Sequence, residues 1–217
     1  MGVSDASNVP FVAAELQRLN PQSILEIGVG FGKWGVIARE CLDAWKGHYH
    51  RAQWQVRIEG IEIFEGYRNP IWAAAYDHVH IGDALTLVKT LGHFDVALIC
   101  DVIEHMEKPT GRELLNRLLN CCDTVILTTP LSFWPQQEQH GNAHEKHLSL
   151  GEPEDFQEFS GHLVELGATF AAVISRPGAD HLKLRLQKRL DHVGVRLLLR
   201  ALVRRVSLKT LGRAPNP

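Results

Sequence analysis

The chain has 217 residues, 45% of them hydrophobic and 22% charged, with a net charge of −2. That is the balance of an ordinary globular protein, long enough for one domain with a sizeable core. No apolar run approaches the roughly 18 residues that cross a bilayer.

Cys41, Cys100, Cys121 and Cys122 form no C-x-x-C pair, so reduced thiols are expected rather than a disulfide framework. The first residues, "MGVSDASNVP", have neither a basic n-region nor an apolar h-region. Ala6 stands where a myristoylation pattern wants Ser or Thr. A cytoplasmic protein is the expectation. The near-zero net charge hides an asymmetry. Residues 1–182 hold 13 basic and 24 acidic side chains, whereas 183–217 hold 10 basic and one acidic. An acidic body with a basic tail is a statement about partners.

In chain order, short β-branched runs alternate with amphipathic segments of helical length. Strands are expected over 23–28, 54–64, 78–83, 94–100, 124–130 and 169–175. Helices are expected over 33–45, from 69 to 76 behind Pro70, over 84–91, over 110–122 behind Pro109, and over 152–167 ending at Gly167. "HLKLRLQK" (181–188) alternates with period two and reads as a strand joined to its predecessor by "RPGAD", hence antiparallel to it. Strands separated by helices make parallel βαβ units. The expected fold is therefore α/β, a doubly wound, mostly parallel sheet with helices on both faces. The turn-rich stretch 130–155 follows a central strand, a usual place for functional loops.

Chemistry concentrates at the carboxyl ends of the strands. "LEIGVGFGKWG" places Gly28, Gly30 and Gly32 between the first strand and its helix, as G-x-G-x-G. Such a loop lets backbone approach a ligand and leads into a helix N-terminus that favours anions. The dinucleotide fingerprint wants a sixth-position Gly, and Lys33 is there instead. Glu26 lies two residues before the loop, where a buried carboxylate needs a partner such as a ligand's ammonium group. Glu62 ends the second strand, where a carboxylate holds ribose hydroxyls in nucleoside-binding sheets. Asp83 follows the third, although an Asp there also serves as a helix cap.

The series "ILEIGVGFGKWG", "GIEIF", "HIGDAL", "FDVALICDVIEHM" and "VILTTP" resembles the ordered motifs of class I S-adenosylmethionine-dependent methyltransferases, over roughly residues 20–175. The resemblance implies a seven-stranded sheet with its last strand antiparallel. The domain is expected over 1–189, and the charge pattern adds a basic amphipathic tail or helix over 190–217. It implies S-adenosylmethionine as cofactor, with Gly28, Gly30 and Gly32 near its methionine part, Glu62 on the ribose and Asp83 near the adenine. Position 62 holds Glu where Asp is commoner, and either carboxylate accepts two hydroxyls.

"DVIEH" places Asp101, Glu104 and His105 at i, i+3, i+4, one face of a helical turn beginning at Asp101. That face would lie beside the methyl donor. Asp101 is expected to line the cofactor site. Asp101, Glu104 and His105, joined by His147, suit a divalent ion such as Mg²⁺ or Mn²⁺. The arrangement is similar to the E-x-x-E-H site of ubiquinone-pathway O-methyltransferases. It is also similar to that of enzymes methylating the terminal 2′-hydroxyl of small RNAs, which carry a late His nine residues before a Phe, as His147 is before Phe156. His105, His144 and His147 are the candidate catalytic bases for a hydroxyl acceptor.

The expected function is O-methylation of a small-molecule or sugar-like acceptor. The alternatives are a metal-dependent RNA 2′-O-methyltransferase and a non-catalytic S-adenosylmethionine-binding protein. An acidic body argues against a broad phosphate-binding face. In the tail, Arg196, Arg200 and Arg204 recur every four residues beside Leu197, Leu198 and Leu202. Such a segment suits a membrane surface, a protein partner, nucleic-acid phosphates or docking on the acidic body.

Overall fold

The computed structural model describes residues 4–139, 141–175 and 186–187. The basic tail and the "RPGAD" turn lie outside the described residues.

Helix α1 (Val9–Leu19) opens the fold, with Pro in its first turn and Asn20 in the left-handed region closing it at φ 47°. The alternation then runs β1 (Ser23–Ile27), α2 (Lys33–Leu42), β2 (Arg57–Glu62), α3 (Pro70–Ala75), β3 (His78–Ile81), α4 (Ala84–Leu87), β4 (Phe94–Cys100), α5 (Lys108–Cys121) and β5 (Cys122–Pro130). β6 (Ser160–Leu166), β7 (Thr169–Ser175) and the two-residue β8 (Leu186–Gln187) follow without an intervening α-helix among the described residues.

The strand order is β3-β2-β1-β4-β5-β7-β6-β8. β1 to β5 pair in parallel, and β7 is antiparallel to both β5 and β6. Order reverses between β1 and β4, so the carboxyl ends of those strands open onto the crevice where such sheets take ligands. The expected mixed, doubly wound sheet is what the chain forms.

Period two sorts the core. Leu25, Ile27, Ala97, Ile99, Val125 and Leu127 face a cluster that includes Leu114, Leu115 and Leu118 of α5. Ile24, Val96, Leu98 and Ile126 face the opposite cluster, built from Phe11, Val12, Leu16, Trp34, Ala38 and Trp72. Helices thus cover both faces.

The helix expected over 152–167 is absent. A 3-10 turn covers Pro153–Phe156 and the rest is β6. The antiparallel strand is accordingly 169–175, set between β5 and β6, and the sixth strand in sequence is 160–166. Of the strand expected over 181–188 only Leu186–Gln187 are described, and they pair in parallel with β6. Tertiary pairing outweighs the local pattern here. β6 matches β7 from Ser160↔Ser175 to Leu166↔Thr169 through a two-residue turn led by Gly167 at φ 64°. Gly161 sits at φ 143°, and a Cβ there would overlap the Val173 carbonyl. In a helix the same glycine would cost about 1 kcal/mol.

Arg39 fastens α2 to its neighbours. Its guanidinium donates to the buried Asp43 at 2.6 Å, to the Val56 carbonyl at 2.7 Å and to the Ala75 carbonyl at 3.0 Å, and it lies over Trp54. Arg39→Ala takes the guanidinium from the buried Asp43, which keeps the Gln55 amide, and strips the Val56 and Ala75 carbonyls of their side-chain donor. It is expected to lower the unfolding free energy by about 3–5 kcal/mol, read from urea denaturation.

Candidate active site

Three left-handed glycines shape the loop after β1: Gly28 at φ 75°, Gly30 at φ 52° and Gly32 at φ 99°. The Gly28 amide donates to the Ile61 carbonyl at 2.9 Å, which ties the loop to β2. A Cβ on Gly28 would stand 2.5 Å from Val102 Cγ2. The glycine loop therefore lies directly on the "DVIEH" turn, and only glycine permits that approach.

Glu62, 4% exposed, closes the loop from the second strand. Its Oε2 accepts the Gly30 amide at 2.8 Å and its Oε1 the Phe64 amide at 2.9 Å. A carboxylate offers about four lone-pair sites, so acceptor capacity remains. Burial pushes its pKa up, and the Gly30, Phe64 and Ile63 amides pull it back.

Glu26 is buried, as its position suggested, but its partner is a tyrosine. The Tyr76 hydroxyl donates to Oε2 at 2.6 Å, and Oε1 has no hydrogen-bond partner among the described residues. Desolvation raises its pKa to about 8, against the pull of the Tyr76 hydroxyl. Asp83 is exposed and caps α4, its Oδ2 accepting the Thr86 amide at 2.9 Å and hydroxyl at 2.8 Å.

After β4 the chain does not enter an α-helical turn. Asp101 is left-handed at φ 53°, and a 3-10 turn begins at Ile103. Asp101, Glu104 and His105 therefore do not share one face. Asp101 Oδ2 accepts the Asp5 amide at 2.8 Å, and Oδ1 accepts the Thr128 hydroxyl at 2.9 Å, with Asn8 nearby. Burial raises its pKa, opposed by the Asp5 amide, the Thr128 hydroxyl and Lys33. Asp101 thus anchors the N-terminal segment and stays out of the expected ligand set.

Glu104 and His105 do meet His147. One ligand atom from each lies within 4.8 Å of the others, and the two rings meet edge to face with centroids 4.8 Å apart. Loop backbone brings them together, since the Leu148 and Ser149 amides donate to the Glu104 carbonyl at 2.8 and 3.1 Å. His105 Nδ1 faces the Lys146 carbonyl at 3.2 Å, and His147 Nδ1 faces the Trp134 carbonyl at 2.7 Å. A carbonyl accepts only, so each Nδ1 carries a proton and Nε2 is the atom left to ligate. Glu104 is 2% exposed, bonded to the Thr129 hydroxyl, and raised to about 8 by burial and then by Asp101. Burial and His147 lower the His105 pKa. The Glu104 carboxyl, once a cation displaces its proton, and the two imidazole Nε2 atoms make a donor set that fits a divalent cation. His144 is exposed on the neighbouring 3-10 turn and lies outside the cluster.

The sequence reading missed the segment before α1. Ser4 accepts Lys33 Nζ through its carbonyl at 2.7 Å and the Trp34 indole through its hydroxyl at 2.9 Å, and Asp5 reaches Asp101. The signal was there: Asn8, Pro10 and the apolar spacing Phe11, Val12, Leu16 mark a helix start. A cavity of about 360 Å³ lies on the α5 side, between Lys108, Arg112, Phe156 and Glu158, and shares only Ile103 with the turn. It is separate from the crevice above the glycine loop.

Of the carboxyls whose pKa burial raises, Glu26 gives a definite pH dependence. Glu26 binds its proton more tightly folded than unfolded, so its contribution is fully present below about pH 4.5 and is lost as pH rises through about 8. Unfolding free energy is expected to fall across that window, and Glu26→Gln to flatten the fall, as measured by urea midpoints at pH 5, 6.5 and 8.

No protein-family model and no curated protein matches the sequence. Solved structures do. An O-methyltransferase family protein from Burkholderia thailandensis superposes with a TM-score of 0.58 at 9% identity, over 79% of this chain and 56% of that one. This chain spans just over half of that protein's length. The methyltransferase domain of bacterial CtHen1 gives 0.54 at 16% identity, over 78% and 96%. Magnesium protoporphyrin IX methyltransferase from Synechocystis PCC 6803, solved with bound SAH, gives 0.54 at 14%, over 78% and 82%. The sheet order, the inserted antiparallel strand and these superpositions show that this chain shares its fold with these methyltransferase structures.

Proposed function

We propose that the chain is an S-adenosylmethionine-dependent methyltransferase acting on an oxygen of a small-molecule or sugar-like acceptor. The observation that carries this is the contact of Gly28 with Val102, which sets a glycine loop closed by Glu62 against a turn bearing Glu104 and His105. The proposed cofactor residues are Gly28, Gly30 and Gly32 along the methionine part, Glu62 with its spare lone pairs toward the ribose, and Asp83 toward the adenine. Glu26 supports the loop from below, and Asp101 closes the crevice beside Lys33.

Methyl transfer is an in-line displacement, so alignment is the larger part of catalysis. When bound, S-adenosylmethionine supplies an electrophilic methyl group, and a divalent ion supplies a centre that lowers a hydroxyl's pKa. Glu104, His105 and His147 are the residues suited to hold that ion, and the two imidazoles favour Mn²⁺ over Mg²⁺. Without an ion on its Nε2, His105, whose pKa burial and His147 lower, is instead suited to take the acceptor's proton. Phe133, Trp134 and Leu148 are exposed beside this cluster, while Glu62, Asp101 and Glu104 are acidic and, among the described residues, no lysine or arginine side chain joins the cluster. That combination supports an acceptor with an uncharged body over a phosphate-bearing one. Residues 190–217 are proposed as a tail separate from this domain, suited to an anionic surface or a partner. No helix among the described residues is long and apolar enough to cross a membrane.

Calorimetry with S-adenosylmethionine and S-adenosylhomocysteine tests the main claim, and no binding of either would overturn it. Glu62→Ala is expected to weaken S-adenosylhomocysteine by roughly 10- to 100-fold, the scale of one or two lost bonds to a charged group. Mn²⁺ titration is expected to show one site, weakened at least about tenfold by Glu104→Gln or His147→Ala and unchanged by His144→Ala. Methyl transfer undiminished after EDTA would leave His105 as base and remove the ion.

A further inference from the structure

We infer that Trp72 of α3 and Tyr76, the residue that closes it, are positioning residues that hold the cofactor loop in its binding shape, with the Tyr76 hydroxyl serving as the missing cap of α2. The inference rests on the proposed cofactor site. α2 begins after Gly32, which has no side chain to cap its first amides. In an ordinary cap a serine, threonine or aspartate accepts the amide of the second or third helical residue. Here the third residue is Gly35, and its amide donates to the Tyr76 hydroxyl at 3.0 Å. That hydroxyl donates in turn to Glu26 Oε2 at 2.6 Å. A Cβ on Gly35 would overlap the Tyr76 ring, so the glycine is what admits the tyrosine.

One turn earlier on α3, Trp72 Nε1 donates to the Gly30 carbonyl at 3.0 Å, while the Gly30 amide is held by Glu62. Asn69 Nδ2, at the start of α3, donates to the Phe31 carbonyl at 3.2 Å. Gly32 packs on Ile71, Trp72 and Tyr76, where a Cβ would come within 3.0 Å of Ile71 Cγ2. One short helix thus fixes the strand end, the loop and the helix start that together would receive the cofactor.

The charged and titratable groups around Glu26 are Tyr76 at the end of α3, Glu62 from β2, Lys33 from α2 and Cys100 from β4. The Tyr76 hydroxyl favours the ionised carboxylate, which gives a readout that loss of packing would not produce. The test measures S-adenosylhomocysteine affinity by calorimetry from pH 6 to 9 for the full chain, Tyr76→Phe and Trp72→Phe, with amide exchange at Gly35. Tyr76→Phe is expected to weaken binding about tenfold, the scale of one lost cap. It should also speed Gly35 exchange and move the pH midpoint of binding upward. Trp72→Phe is expected to weaken binding with the midpoint unchanged. Wild-type affinity and midpoint in Tyr76→Phe would overturn the inference. Faster Gly35 exchange in Tyr76→Phe together with no binding by the wild type would instead overturn the cofactor reading, and this role with it.

Discussion

Asp101 leaves β4 in the left-handed region, and the walls of the candidate site are distributed from the residues that follow it. Asp is among the few side chains that accept this backbone. The Thr128 carbonyl and hydroxyl and the Asp5 amide hold it there. Val102 then falls on Gly28, Ile103 packs against Gly111 of α5, and Glu104 and His105 turn toward His147. An ordinary helical turn would have put the three polar residues on one face. The left-handed residue separates them, one carboxylate to the N-terminal segment and the other to the histidine cluster.

The buried carboxylates at these strand ends differ in how their burial is offset. Glu62 is met by two backbone amides, and Asp101 by an amide and a hydroxyl. Glu26 and Glu104 have one hydroxyl each, and both are raised to about 8. The undersatisfied pair flanks the crevice from two sides, Glu26 under the glycine loop and Glu104 in the histidine cluster. A buried carboxylate short of partners costs stability. Its retention at a site suited to a charged ligand is the usual form of that cost.

Much of the site was legible before the fold. Gly28, Gly30, Gly32 and Glu62 announce themselves because a tight loop after a buried strand leaves few residue types free. Glu104, His105 and His147 were recognisable as a set, although their meeting depends on a loop folding back through the Leu148 and Ser149 amides. The misreadings have particular causes. The helix expected over 152–167 followed a real spacing of Phe156, Phe159 and Leu163, and lost to a hairpin that completes the sheet. Asp101 was grouped with Glu104 by a spacing that holds only in an α-helix, and its φ of 53° cancels it. Trp72 and Tyr76 fell within the helix expected from 69 to 76, where nothing in the spacing marks a side chain that reaches another element.

The amino-acid sequence by itself determined the alternation of strands and helices, the parallel sheet and the loop at the end of β1. Those follow from periodicity and from backbone freedom at glycine, which are local properties. Only the tertiary structure decided which carboxylates are partnered, which histidines meet, and that a tyrosine forty-one positions from Gly35 caps its helix. The physical reason is that these depend on contacts between distant segments, and no short-range pattern encodes where a buried donor finds its acceptor.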